Sequence, residues 1–192
     1  HNRRKRRDVG TPRFVRALDD ARRLRKHFDA SSPWIRTPAL HNSSLAPSGH
    51  VFVVGFMRSG TTLLATALAS HDMVIAADEV DFFSDTARAF LTSEKGLNDL
   101  AELPDAKIED WQRRYWEGVA ASGLSVAGST FVEKMPLNSI GLPLISRLFP
   151  EAKILYALRD PRDVVLSCIR QKFELTQASY EFLDLEDCAC FY

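Results

Sequence analysis

The sequence of 192 residues has three cysteines, no basic residue beyond Lys172 and no cluster of histidine, cysteine and acidic residues at metal-ligand spacing. Each shortage excludes something. An odd cysteine count with no even framework argues against a disulfide scaffold. Cys188-Ala189-Cys190 lacks the CxxC spacing of a redox or zinc motif, so these two read as packing residues. No apolar run approaches the ~18 residues that would cross a bilayer, so no transmembrane segment is expected. The chain starts at His1 rather than Met, so upstream sequence is expected to be missing from it, which leaves room for a signal or anchor.

Hydrophobic residues make up 45% of the chain, enough for a soluble core. The formal net charge of zero is unevenly spread: eleven Lys/Arg fall between Arg3 and Lys26, and five acids follow Lys172. A run such as Arg3–Arg7 suits nucleic acid or acidic lipid headgroups. Such runs are ordinarily solvated linkers, and no nucleic-acid partner is expected. Phe14, Ala17, Leu18, Ala21, Leu24 and Phe28 have helical spacing and predict an amphipathic helix with a basic outer face. Residues 29–49, rich in Ser, Pro, Asn and Gly, read as a linker. The division is therefore a basic helical connector and linker over 1–49 and a domain over 50–192.

Val51–Val54 is wholly apolar and rich in β-branched residues, the pattern of a strand buried on both faces of a parallel sheet. Leu63, Leu64, Ala67 and Leu68 then predict a helix. Ser84–Thr92 and Glu109–Ala121 read as helices separated by a polar stretch around Pro104. Thr130–Glu133 reads as a strand and residues 140–148 as a helix. Lys153–Leu158 reads as another buried strand, followed by a helix with Asp160 as N-cap and Pro161 in its first position. Strands alternating with helices give an α/β class with a central parallel sheet in three layers.

Between the first strand and helix stands Gly55-Phe56-Met57-Arg58-Ser59-Gly60-Thr61-Thr62. The glycines have the spacing of the phosphate-binding pattern GxxxxGK[ST]. A loop of this kind turns backbone N–H groups inward and adds the positive end of a helix, so a phosphate or sulfate ligand is expected. The departure from the pattern is as informative as the match. Thr61 stands where an NTPase has the lysine that reaches the β- and γ-phosphates. Thr61 and Thr62 can still donate hydroxyl hydrogen bonds, and Arg58 supplies a cation.

This loop resembles the 5′-phosphosulfate-binding loop of sulfotransferases. Arg58 before Ser-Gly-Thr-Thr is similar to the tyrosylprotein sulfotransferases and to the bacterial sulfotransferases that follow tetratricopeptide repeats. A second segment, Arg159-Asp160-Pro161-Arg162-Asp163-Val164-Val165-Leu166-Ser167, resembles the family's 3′-phosphate-binding segment. The resemblance implies a P-loop-type fold and 3′-phosphoadenosine 5′-phosphosulfate (PAPS) as donor. Arg58, Ser59, Gly60, Thr61 and Thr62 would hold its 5′ end, and Arg159 and Ser167 its 3′-phosphate. It implies transfer to a hydroxyl acceptor (protein tyrosine, saccharide or small molecule) without a bound metal.

Transfer of a sulfuryl group requires a base for the acceptor proton and cations for the moving charge. Glu79 stands where the tyrosylprotein enzymes place their catalytic glutamate, with Asp78 and Asp81 as competitors. Lys134 resembles the lysine that contacts the donor's bridging oxygen, and Asn138 is a candidate to orient it. Arg58, Glu79 and Lys134 are thus the expected catalytic set. Cytosolic members use a histidine base, but His71, at the far end of the first helix, reads as structural.

The resemblance covers Val51 to Ser167, and family domains continue further, so the domain is expected to be incomplete at its C-terminal side. The bacterial resemblance implies a cytoplasmic location, and a lost N-terminal anchor would imply the Golgi lumen. Two other readings stand beside this one: another P-loop kinase or NTPase, which Thr61 disfavours, and a non-catalytic nucleotide-binding module.

Overall fold

A computed structural model describes residues 15–30 and 46–192. The Arg3–Arg7 run, Phe14 and linker residues 31–45 lie outside the described residues. One unit comprises residues 15–30, Phe56–Ser59 and Leu158–Tyr192; the other comprises residues 46–55 and Gly60–Ala157.

The second unit is built on four strands, β1 (Gly49–Gly55), β2 (Val74–Asp78), β3 (Thr130–Lys134) and β4 (Lys153–Ala157). They pair in the order β2-β3-β1-β4, all parallel. The apolar run of β1 earns it the inner position: Phe52, Val53 and Val54 are fully buried. Helices α2 (Thr61–Ala69), α3 (Ser84–Phe90), α4 (Glu94–Ala101), α5 (Asp105–Ala121) and α6 (Leu142–Leu148) flank the sheet. The fold is therefore α/β with an all-parallel central sheet, as its strand–helix alternation requires. One face of the sheet meets an aromatic cluster in which His50, Phe52, Phe83, Tyr115, Trp116, Phe131 and Phe149 are neighbours.

Four features differ from the sequence expectation. Lys153–Ala157 is not buried: Ile154 and Leu155 are each 36% exposed and Tyr156 49%. Its apolar run lies at the edge, paired only to β1 among the described residues. Strand β2 and helix α4 were both unforeseen. The α4 helix begins at Ser93, whose hydroxyl accepts from Gly96 N–H at 3.0 Å. Gly96 reads as a helix breaker, yet a Cβ there would lie 2.5 Å from the Phe90 carbonyl oxygen. Pro104, expected within a polar stretch, is instead the residue from which α5 starts.

The first unit holds α1 (Ala17–Ala30), α7 (Pro161–Arg170), α8 (Gln177–Glu181) and α9 (Leu185–Phe191). Asp160 caps α7 by accepting from Arg162 N–H at 2.9 Å, with Pro161 at the first position. In α1, Ala17, Leu18 and Leu24 face inward. Cys168 and Cys188 are buried with their thiols facing each other, whereas Cys190 is exposed, so of the two cysteines expected to pack only Cys188 does.

Arg16 departs from the basic outer face by turning inward. Its guanidinium pairs with both oxygens of Glu181, which is fully buried, and with Asp187 at 2.8 Å. Removing one partner of a buried pair leaves an uncompensated charge, so Arg16→Ala should lower stability by about 3–5 kcal/mol. Urea unfolding of the variant against wild type checks this, and an unchanged midpoint would refute it.

Candidate functional site

In the second unit, Gly60 takes a left-handed conformation (φ +100) and begins α2 without any side-chain cap. The first intrahelical bond runs from Leu64 N–H to the Gly60 carbonyl at 3.1 Å. Helix geometry therefore leaves the N–H groups of Thr61, Thr62 and Leu63 without intrahelical acceptors, the arrangement that receives an anion. Thr61 is buried and Thr62 exposed.

At the carboxyl ends of β2 and β3, Asp78 and Lys134 face each other across the ladder. Lys134 is 1% exposed, and its ammonium pairs with Asp78 and, at 2.7 Å, with Glu79 Oε1. Glu79 is fastened a second time, by its N–H to the Lys134 carbonyl at 2.8 Å. Its φ of +56 is strained for a residue with a Cβ. Such strain persists only where the surroundings over-determine it, and it concentrates at functional positions.

The structure thus brings Glu79, Asp78 and Lys134 together. Asp81 is used locally, accepting from Phe83 N–H at 3.0 Å just before α3. Asn138 donates to Glu133 Oε1 at 2.6 Å, not to Lys134. His71 lies beyond the far end of α2, where its Nδ1 accepts from Met73 N–H at 3.1 Å.

In the first unit, Arg58 also has a left-handed backbone (φ +68). Its Nε donates to Ser167 Oγ on α7 at 3.1 Å, and Arg159 Nη1 donates to the Arg58 carbonyl at 3.4 Å. Arg159 further pairs with Asp163 at 3.5 Å, and its own carbonyl accepts from the Tyr192 hydroxyl at 2.7 Å. The Arg159–Asp163 pair is half exposed, so it contributes little stability and leaves the guanidinium open to a competing anion. Ser59 spends its hydroxyl on the Phe56 carbonyl at 2.7 Å, which tightens the loop.

Sequence reasoning missed one cluster. Glu133, 1% exposed, meets the Tyr115 hydroxyl with Oε2 and Asn138 with Oε1, and His50 Nε2 lies 3.0 Å from that hydroxyl. Burial pushes the Glu133 carboxyl up to about 8, against the lowering effect of its two hydrogen bonds. Burial, and then the adjacent carboxyl, push the Tyr115 phenol well above its usual range. The one local signal was the alternation that puts Glu133 on the same strand face as Phe131.

The profile of the sulfotransferase family matches residues 50–191. A protein of Aquifex aeolicus (strain VF5), named only as uncharacterized, is 31% identical over 140 residues, covering 69% of this chain and 18% of its own. A putative protein-tyrosine sulfotransferase of Caenorhabditis briggsae is 28% identical over 64% of this chain and 43% of its own. Protein-tyrosine sulfotransferase A of Caenorhabditis elegans is 26% identical over 73% of this chain and 38% of its own. The chain spans less than half the length of each of these relatives. With the family profile matching most of its length, the chain belongs to the sulfotransferase family.

Proposed function

We propose that the chain transfers a sulfuryl group from PAPS to a hydroxyl acceptor. The observation that carries this reading is the Lys134–Glu79 pair at the carboxyl ends of β2 and β3. Ligands of open parallel sheets bind at those ends. There Glu79 accepts the acceptor's proton as its oxygen attacks sulfur. The bond between sulfur and the bridging phosphate oxygen breaks, and Lys134 stabilises the charge that develops on that oxygen. Adenosine 3′,5′-bisphosphate leaves. The first-turn N–H groups of α2 with Thr61 and Thr62 receive the 5′-phosphosulfate, and Arg58 adds a cation to it. Arg159 and Ser167 serve the 3′-phosphate.

A tyrosine peptide is the first acceptor to try, because two relatives carry that activity in their names. Saccharide and small phenolic hydroxyls are the other classes. Among the described residues no helix is long and apolar enough to cross a membrane.

Donor recognition is tested by calorimetric titration with adenosine 3′,5′-bisphosphate against AMP. The bisphosphate should bind tightly and AMP weakly. In Arg159→Ala the bisphosphate should weaken by about 10- to 100-fold, the range of a hydrogen bond to a charged group, while AMP is hardly affected. Equal affinities of wild type for the two ligands would sink the assignment. A parallel assay with magnesium and ATP should show no hydrolysis, since Thr61 replaces the lysine that chemistry uses.

A further inference from the structure

Strand alternation sets Phe131 and Glu133 on one face of β3 and Val132 and Lys134 on the other. Phe131 belongs to the aromatic cluster, and Glu133 brings a carboxyl into the same dry surroundings. Both of its oxygens are engaged. Tyr115 reaches it from α5, with His50 of β1 behind, and Asn138 reaches it from the short 3-10 turn Pro136–Ser139 that follows Lys134. The turn is held at two further points. Asn138 N–H donates to the Met135 carbonyl at 3.0 Å, and Ser139 Oγ donates to the Gly55 carbonyl at 3.3 Å.

We propose that Glu133 is a positioning residue: through Asn138 and Tyr115 it fixes the turn leaving β3, and so holds Lys134 in place beside Glu79. The inference rests on the reading of Lys134 and Glu79 as the transfer pair. Glu133 does its work as a neutral acid. The groups around it are Tyr115, His50 and Asn138, with Asp81 the acid that acts on it and the Lys134 ammonium on the opposite strand face. Asp81 and burial both oppose its ionisation, while the Tyr115 and Asn138 bonds favour it, and burial dominates. In the neutral form Oε1 accepts from Asn138, the protonated Oε2 donates to the Tyr115 oxygen, and the Tyr115 hydroxyl turns its own proton from Oε2 to His50 Nε2. Ionisation would place a charge where water does not reach, and the turn must open to solvate it.

Glutamine has the shape of the protonated acid, with an amide oxygen for Asn138 and an N–H for Tyr115, but it cannot ionise. Sulfuryl transfer from PAPS is therefore measured across pH for wild type, Glu133→Gln and Glu133→Ala. Wild type should lose kcat above about pH 8. E133Q should match wild type at pH 7 and lack that alkaline limb. E133A should lose about 10- to 100-fold in kcat through misplacement of Lys134, with its affinity for adenosine 3′,5′-bisphosphate retained. A Glu133→Gln variant as impaired as E133A, or one with the wild-type alkaline limb, overturns the proposal.

Thermal unfolding supplies a readout that needs no turnover. The folded carboxyl sits above its ordinary 4.5, so its contribution to stability is complete below that pH and is lost as pH rises toward 8. E133Q should remove this part of the slope, and an unchanged slope overturns the neutral-acid role. Wild-type protein that transfers no sulfuryl group would sink the transfer reading instead, and the slope would still decide the state of Glu133.

Discussion

Glu79→Gln should lower sulfuryl transfer by about 10²- to 10⁴-fold, the usual contribution of a positioned general base. The amide keeps an oxygen to accept from the Lys134 ammonium, as Oε1 does now at 2.7 Å, and it keeps the N–H bond to the Lys134 carbonyl. What it loses is the ability to take a proton. Turnover should therefore collapse while binding of adenosine 3′,5′-bisphosphate stays close to wild type, because the donor's phosphates are assigned to other residues. A retained fold, read from the thermal midpoint, separates lost chemistry from lost structure. The strained φ of +56 sharpens the expectation, since a glutamate is held there at a cost that glycine would not incur. Turnover equal to wild type would move the base role to Asp78, the other carboxylate on Lys134.

The readable parts of this chain were the local ones. A β-branched run, a glycine-bounded turn and a helical repeat are contiguous, so Gly55–Thr62 could be placed between β1 and α2 before any tertiary contact was known. The same holds for Asp160-Pro161, whose capping geometry marks the start of α7. Strand β2 was missed because Val74–Asp78 contains two alanines and ends in an acid, so its strand character comes from pairing with β3 rather than from its own composition. Helix α4 was missed because Gly96, which looks like a breaker, is demanded by the approach of the Phe90 carbonyl.

Part of the site was legible only as single residues. Glu79 and Lys134 were each picked out, but their double fastening joins residues 55 apart in sequence and belongs to the strand register. Glu133 was read only as the end of the Thr130–Glu133 strand. Its burial depends on Tyr115 arriving from α5 and on the aromatic face above β1 and β3. Arg159 shows the converse: its ion pair with Asp163 is half exposed, which leaves the guanidinium open to the 3′-phosphate proposed for it.

Lys134→Met should lower kcat by about 10²- to 10³-fold, the range seen when one preorganised donor to a developing negative charge is removed. An ammonium has three donors, and Asp78 and Glu79 account for two, which leaves one for the donor's bridging oxygen. Methionine fills the buried slot with an unbranched chain of similar length, so packing is largely preserved. The carboxylates left behind are more than half exposed, at 68% for Asp78 and 52% for Glu79, and water can take over their solvation. The stability loss should accordingly be far smaller than for Arg16→Ala, where the abandoned Glu181 is wholly buried. Lys134→Arg is the discriminating companion. It keeps the charge, but its planar fork does not fit a slot shaped for a compact ammonium, so it should recover only part of the lost rate. Steady-state kinetics on all three proteins, with thermal midpoints alongside, decide the matter. A Lys134→Met protein that turns over at the wild-type rate would show that the charge on the leaving oxygen is met elsewhere.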